Sequence, residues 1–120
     1  MVGMKPLLPN FLILFADDLG SGDLQSYGHP TTRTPELDKL AASGIRFTQW
    51  YSAFHICSPS RAAMMTGRLP IRSGTAGNIW TGGVFMSSAV GGLPHNETTL
   101  PELLSPKGYA TKAIGKCARL

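Results

Sequence analysis

Cysteine, charge and long apolar runs are all scarce in this sequence, and each scarcity excludes a class of protein. The only cysteines are Cys57 and Cys117. They could pair, but two cysteines make no disulfide framework, so their number does not fix the redox compartment. Charged residues are 15% and aromatic residues 8% of the chain, beside 42% hydrophobic residues. That is neither the charge-rich, apolar-poor composition of a disordered chain nor that of a membrane-dominated one. The net charge of +4 is spread along the chain without a basic block. Such an excess favours small anionic ligands and is no signature of nucleic-acid binding. The longest apolar run, Phe11 to Ala16, falls far short of the roughly 20 residues needed to span a bilayer, so no membrane span is expected. There is no internal repeat and no low-complexity tract. With 120 residues the chain is long enough for one modest domain and too short for two.

Glycine and proline are plentiful instead, at 14 and 9 residues, which predicts many loops and tight turns. The apolar run Phe11 to Ala16, bounded by Pro9-Asn10 and by Asp17-Asp18-Leu19-Gly20, suits a buried parallel strand that enters a loop at its carboxyl end. In open α/β sheets that end is where ligands bind. Thr34-Pro35-Glu36 predicts a helix start, with Leu37, Leu40 and Ala41 on one stripe and Gly44 as its stop. A second strand is expected over residues 45–52. Ser58-Pro59 repeats the cap-then-proline signature, and Arg61 to Met65 is strong helix-forming sequence closed by Thr66-Gly67. From Leu69 to Asn96 the chain reads as a long Gly-rich loop. Thr99 to Leu104 predicts another short helix stopped by Gly108, and Tyr109 to Ile114 a third strand. The fold class is therefore α/β, a partial parallel-type sheet with helices. Three strands and three short helices leave much of such a sheet uncovered, so the isolated chain should be marginally stable.

The chemistry concentrates in Cys57-Ser58-Pro59-Ser60-Arg61. This places a nucleophile-capable side chain at the start of a helix whose N–H groups and dipole favour an anion. Arg61 adds a permanent positive charge suited to tetrahedral oxyanions. Read from these residues alone, Cys57 equally suits a buried structural cysteine before an ordinary capped helix. Asp17-Asp18 offers two hard oxygen donors for a divalent cation, or else a solvated turn. His29, His55 and His95 lack ligand spacing and read as surface or packing residues. Asn96-Glu97-Thr98 is an N-glycosylation acceptor pattern, meaningful only on the secretory route, and equally a polar turn before a helix.

Cys-x-Pro-x-Arg, followed at this spacing by Thr66-Gly67, resembles the signature of the type I sulfatases of the alkaline-phosphatase-like superfamily. The stretch from Asn10 to Lys116 is similar to the N-terminal part of an arylsulfatase. The resemblance also includes Phe15-Ala16-Asp17-Asp18-Leu19-Gly20, Gly22-Asp23, Tyr27-Gly28, Thr34-Pro35, Leu37-Asp38, Leu100 to Leu104, Gly108-Tyr109 and Gly115-Lys116. It implies residues 1–9 as an extension, 10–116 as the N-terminal part of a sulfatase catalytic domain, and 117–120 as a divergent end. It further implies that Cys57 is oxidised to formylglycine by the formylglycine-generating enzyme of the endoplasmic reticulum. The hydrated aldehyde of that residue attacks the sulfur of a sulfate ester and the alcohol leaves. The second hydroxyl then collapses to the aldehyde and expels sulfate, dividing one difficult displacement into two steps. Arg61 holds the diol and neighbouring oxyanions, and Lys116 contacts the sulfate. Asp17 and Asp18, with the group at Cys57, bind Ca²⁺ or Mg²⁺, which polarises a sulfate oxygen.

The resemblance breaks after Lys116. The family continues Gly-Lys-Trp-His, whereas this chain reads Gly115-Lys116-Cys117-Ala118, with Ala118 at the place of a catalytic histidine. Further histidines, an Asp-Asn pair and a second lysine come from later parts of longer family chains. The expectation is therefore a truncated or mispredicted sulfatase, with a catalytically inactive fragment that binds at most an anion or Ca²⁺ as its alternative. A related phosphate- or phosphonate-ester hydrolase is a third reading, separable by comparing aryl sulfate with aryl phosphate. The resemblance places the protein in the lysosome or secretory pathway. Met1 to Ala16 is nonetheless a poor signal peptide, because Pro6 and Pro9 interrupt it and Asp17-Asp18 stands where small residues belong. No oligomeric state is implied.

Overall fold

In the computed structural model, which describes residues 8–76 and 92–116, the longest regular element is the helix that begins at Cys57. The chain divides into two compact units, Met1–Phe47 and Thr48–Leu120.

The first unit contains a 3₁₀-turn, η1 (Gln25–Tyr27), and helix α1 (Pro35–Ser43). Pro35 occupies the first turn, where its missing N–H costs nothing, and Glu36 and Asp38 sit where the helix dipole favours acids. Thr34 and Asp38 also fasten η1 to this helix. Gln25 N–H donates to Thr34 Oγ1 at 3.2 Å and Ser26 N–H to Asp38 Oδ1 at 2.9 Å. Thr34 Oγ1 in turn donates to Asp38 Oδ1 at 3.1 Å. Arg46 closes the far side, with a guanidinium hydrogen bond to the Ser26 carbonyl and its charge 5.5 Å from the centre of the Tyr27 ring. The Tyr27 hydroxyl donates to the Phe47 carbonyl at 2.8 Å. The unit is thus held by polar bonds around a turn, and α1 buries none of its residues. Leu37 and Leu40 form the stripe expected of them but stay exposed. Gly44 ends α1 in an extended conformation rather than the left-handed one its position suggests.

The second unit contains α2 (Cys57–Thr66), α3 (Leu100–Leu104) and the 3₁₀-turn η2 (Ser105–Lys107). Helix α2 starts two residues earlier than the Ser58-Pro59 signature predicts, with Ile56 at its N-cap and Cys57 as its first residue. Pro59 still lies in the first turn, where no intrahelical N–H bond is lost. Gly67 ends α2 in the left-handed region at φ 66°, and its N–H donates to the Ala63 carbonyl at 2.8 Å. Among the described residues the buried apolar side chains are few and small, and Pro59, Ala62 and Ala63 of α2 join Ala76. Residues 69–76, expected as plain loop, fold into consecutive turns in which the Leu69 and Pro70 carbonyls accept four backbone N–H bonds. The buried hydroxyls of Ser73 and Thr75 bond to each other at 2.9 Å. Residues 77–91 of that expected loop lie outside the described residues. α3 is set by its cap, with the Thr99 N–H and hydroxyl donating to Glu102 Oε2 at 2.7 and 2.8 Å.

The expected parallel-type sheet of an α/β domain is not seen among the described residues. None of the segments 11–16, 45–52 and 109–114 forms a strand among the described residues. Their apolar side chains face solvent, with Leu12 84%, Trp50 75% and Ile114 91% exposed. A run of consecutive apolar residues is a stable strand only when neighbours supply its ladder and both faces are covered, and the described residues supply neither.

Candidate functional site

Cys57, Arg61 and Lys116, predicted from the sequence as site residues, come together in the second unit. Cys57 is half-buried at the first position of α2, where the dipole presents its positive end. Arg61 follows four residues later, one turn on and on the same face. Lys116 arrives from the other end of the unit, and its Nζ donates to Cys57 Sγ at 3.6 Å. Arg61 Nη1 donates to the Lys116 carbonyl at 3.2 Å, so the arginine positions the backbone whose side chain reaches the cysteine. Gly115 has φ 108°, a conformation that favours glycine, and this turn delivers Lys116. The local charge is doubly positive, at a helix N-terminus, beside one sulfur. Such a site suits a tetrahedral dianion and the stabilisation of negative charge on its oxygens. Cys117 and Ala118 lie outside the described residues, and with them the pairing considered for Cys117.

Asp17 and Asp18 belong to the first unit. They form an exposed bend at the end of the apolar run, and Asp18 is the described non-glycine residue with a left-handed backbone, φ 55°. Aspartate is among the few side chains that tolerate this region. The bend sets two carboxylates side by side on an exposed loop, a donor set of hard oxygens that fits Ca²⁺ or Mg²⁺. Of the histidines, His29 accepts the Thr31 and Thr32 N–H groups on Nδ1, at 3.2 and 2.8 Å. His55 stacks on Phe54 with ring centres 4.6 Å apart, and His95 is exposed.

One pair in the second unit has no sequence signal. Arg68, just past the α2 cap, donates to Glu97 Oε1 at 2.5 Å and to the Arg72 carbonyl at 3.0 Å. The Glu97 side chain is 4% exposed and that of Arg68 50%. The pair ties the turns after α2 to the segment before α3. Its partners lie 29 positions apart, beyond the reach of any local pattern.

A sequence profile of the sulfatase family matches residues 9–119. Bovine arylsulfatase A is 55% identical over 108 residues, covering 90% of this chain and 20% of that protein. Mouse steryl-sulfatase is 51% identical, covering 95% of this chain and 18% of its own length. Human N-acetylgalactosamine-6-sulfatase is 50% identical, covering 92% of this chain and 22% of its own. The chain therefore spans about a fifth of the length of these relatives. A match over nearly every position, containing the Cys57 helix start, Arg61, the Asp17-Asp18 bend and Gly115-Lys116, leaves one conclusion, that this chain belongs to the sulfatase family.

Proposed function

We propose that this chain supplies part of the catalytic site of a sulfuric ester hydrolase of the arylsulfatase type, with residues 10–116 in its catalytic domain. The single observation that carries this reading is the convergence of Arg61 and Lys116 on Cys57 at the start of α2, in a chain of the sulfatase family. In this reading Cys57 is converted to formylglycine by the formylglycine-generating enzyme on the secretory route to the lysosome or cell exterior. When formed, the hydrated aldehyde supplies an oxygen nucleophile for the sulfur of a sulfate ester and a second hydroxyl that lets the sulfate go.

The chain's own residues have separate tasks around that group. Lys116 Nζ, already within hydrogen-bonding reach of the Cys57 side chain, binds a sulfate oxygen and neutralises charge that grows there. Arg61 fixes the Lys116 backbone, and its permanent charge one turn from Cys57 favours a neighbouring oxyanion. The α2 N-terminus adds its dipole. Asp17 and Asp18, with the group at Cys57, are the residues that would hold Ca²⁺ or Mg²⁺, whose charge polarises a sulfate oxygen. The segments 11–16, 45–52 and 109–114 are the strands of the alkaline-phosphatase-like α/β sheet in this reading.

Peptide-mapping mass spectrometry of the native protein, with turnover of an aryl sulfate and an aryl phosphate, tests the proposal. Formylglycine at position 57 and preferential sulfate turnover are the expected results. An unmodified thiol at Cys57 with no turnover assigns the chain to the inactive reading, in which it binds at most an anion or Ca²⁺. Preferential phosphate turnover would move it to a phosphate-ester hydrolase.

A further inference from the structure

The acceptor tripeptide Asn96-Glu97-Thr98 plays no part in the site around Cys57, and the structure gives it a definite shape. The Glu97 N–H donates to the Pro94 carbonyl at 3.0 Å, so Pro94 to Glu97 form a reverse turn just before the Thr99 cap of α3. Within the tripeptide the burial alternates. Asn96 and Thr98 are exposed, whereas the Glu97 side chain between them is 4% exposed. The cause is the ion pair: Arg68 Nη1 draws the Glu97 carboxylate inward at 2.5 Å and so leaves its two neighbours facing out. An oligosaccharide is bulky and hydrated and can only be carried on such a surface turn. Neither Glu97 nor Thr99 is proline, which would block the acceptor geometry.

We propose that Asn96 is an N-glycosylation site, a carbohydrate-bearing surface turn held outward by the Arg68–Glu97 pair. The inference rests on the secretory-route reading above, since only there does the chain meet the modifying enzyme. In the transfer, Asn96 Nδ2 forms a bond to the first sugar carbon of a lipid-linked oligosaccharide diphosphate. The carbon–oxygen bond to the diphosphate breaks, the lipid diphosphate leaves with its electron pair, and the amide proton passes to a base of the transferase. The Thr98 hydroxyl is required at the second position after the asparagine. Glu97 is tolerated between them, because the middle position of the acceptor tripeptide excludes only proline.

The test is peptide mapping of the native protein after amide-releasing glycosidase treatment in heavy-oxygen water, read at both Asn96 and Cys57. Conversion of Asn96 to isotope-labelled aspartate, with formylglycine at position 57, is the expected result. Formylglycine at position 57 with an unmodified Asn96 overturns the glycosylation site and leaves the sulfatase reading standing. An unmodified Cys57 together with a bare Asn96 overturns both. A second measurement uses the full chain behind a secretion leader in cultured mammalian cells. A glycosidase-sensitive mobility shift should be lost in Asn96→Gln and Thr98→Val and kept in Thr98→Ser. Transfer needs only the acceptor tripeptide on the entering chain, so this readout holds even for a variant that folds poorly. A secreted chain without the shift overturns the proposal.

Discussion

Arg61 does its work through geometry that lysine cannot copy. One nitrogen of its fork donates to the Lys116 carbonyl, and the compact ammonium of lysine lacks the rigid planar fork that spreads donors over two directions. In protein active on an aryl sulfate, Arg61→Lys should lower turnover roughly tenfold or more. Lys116→Ala, which removes one donor to developing charge, should lower it by about 10²-fold. Unchanged turnover in both variants would remove them from the proposed site. Asp18 calls for a different substitution, because its left-handed backbone makes alanine a confounded choice. Asparagine accepts that backbone and removes only the charge, so Asp18→Asn should weaken Ca²⁺ binding roughly tenfold or more with the bend intact. Titration calorimetry measures this, and an unaltered affinity would exclude Asp18 as a ligand. All of these residues were legible in the sequence, since each lies in a short motif. The Arg68–Glu97 pair was not, because its partners meet only through the turns after α2.

Helices α2 and α3 owe their ends to single residues. A Cβ added at Gly67 would meet nothing within 4 Å, so the cost of Gly67→Ala is purely that of the left-handed backbone at φ 66°. About 1 kcal/mol is expected, read as a roughly fivefold loss of amide-exchange protection in the last turn of α2. Asparagine at the same position should recover part of it. In α3 the backbone N–H of Thr99, and then its hydroxyl, hold the Glu102 carboxyl below its ordinary value. A carboxyl with a depressed value in the folded state takes up protons more readily when unfolded. Its stabilising effect is therefore complete above the ordinary glutamate value and is lost as pH falls through the depressed one. Protection of the Leu103 amide, which bonds to the Thr99 carbonyl at 3.1 Å, should hold from neutral pH into the glutamate range and drop below it. Glu102→Gln should abolish that acid-dependent drop. Both helices were predictable, α2 from Ser58-Pro59 and Gly67 and α3 from Thr99 and Gly108. The start of α2 lies two residues before the expected Ser58 cap because Ile56, which carries no capping side chain, serves as its N-cap.

For the whole molecule, the balance of buried and exposed apolar surface sets the behaviour of the isolated chain. The buried apolar side chains among the described residues are alanines and prolines, whereas Leu12, Leu14, Ile45, Trp50, Tyr51 and Ile114 are all at least three-quarters exposed. That is too little burial for strong cooperativity and an apolar surface larger than isolated soluble domains leave open. The 120-residue chain alone should bind a hydrophobic dye such as ANS and melt over a broad range. A sharp cooperative transition in a monomeric, dye-free sample would contradict this.

The sequence by itself determined the family and marked the candidate site residues, because Cys57-x-Pro-x-Arg61, Asp17-Asp18 and Gly115-Lys116 are local patterns that keep their meaning wherever the chain runs. It also determined α1, α2 and α3, whose stops and starts are set by residues within one turn of each end. Only the tertiary structure decided that Lys116 reaches back 59 positions to Cys57 and that Glu97 turns inward to Arg68. It also decided that the apolar runs do not pair into a sheet among the described residues. These outcomes depend on contacts between distant segments, where the cost of closing a loop must be met by burial or by charge, and no local pattern records whether it is.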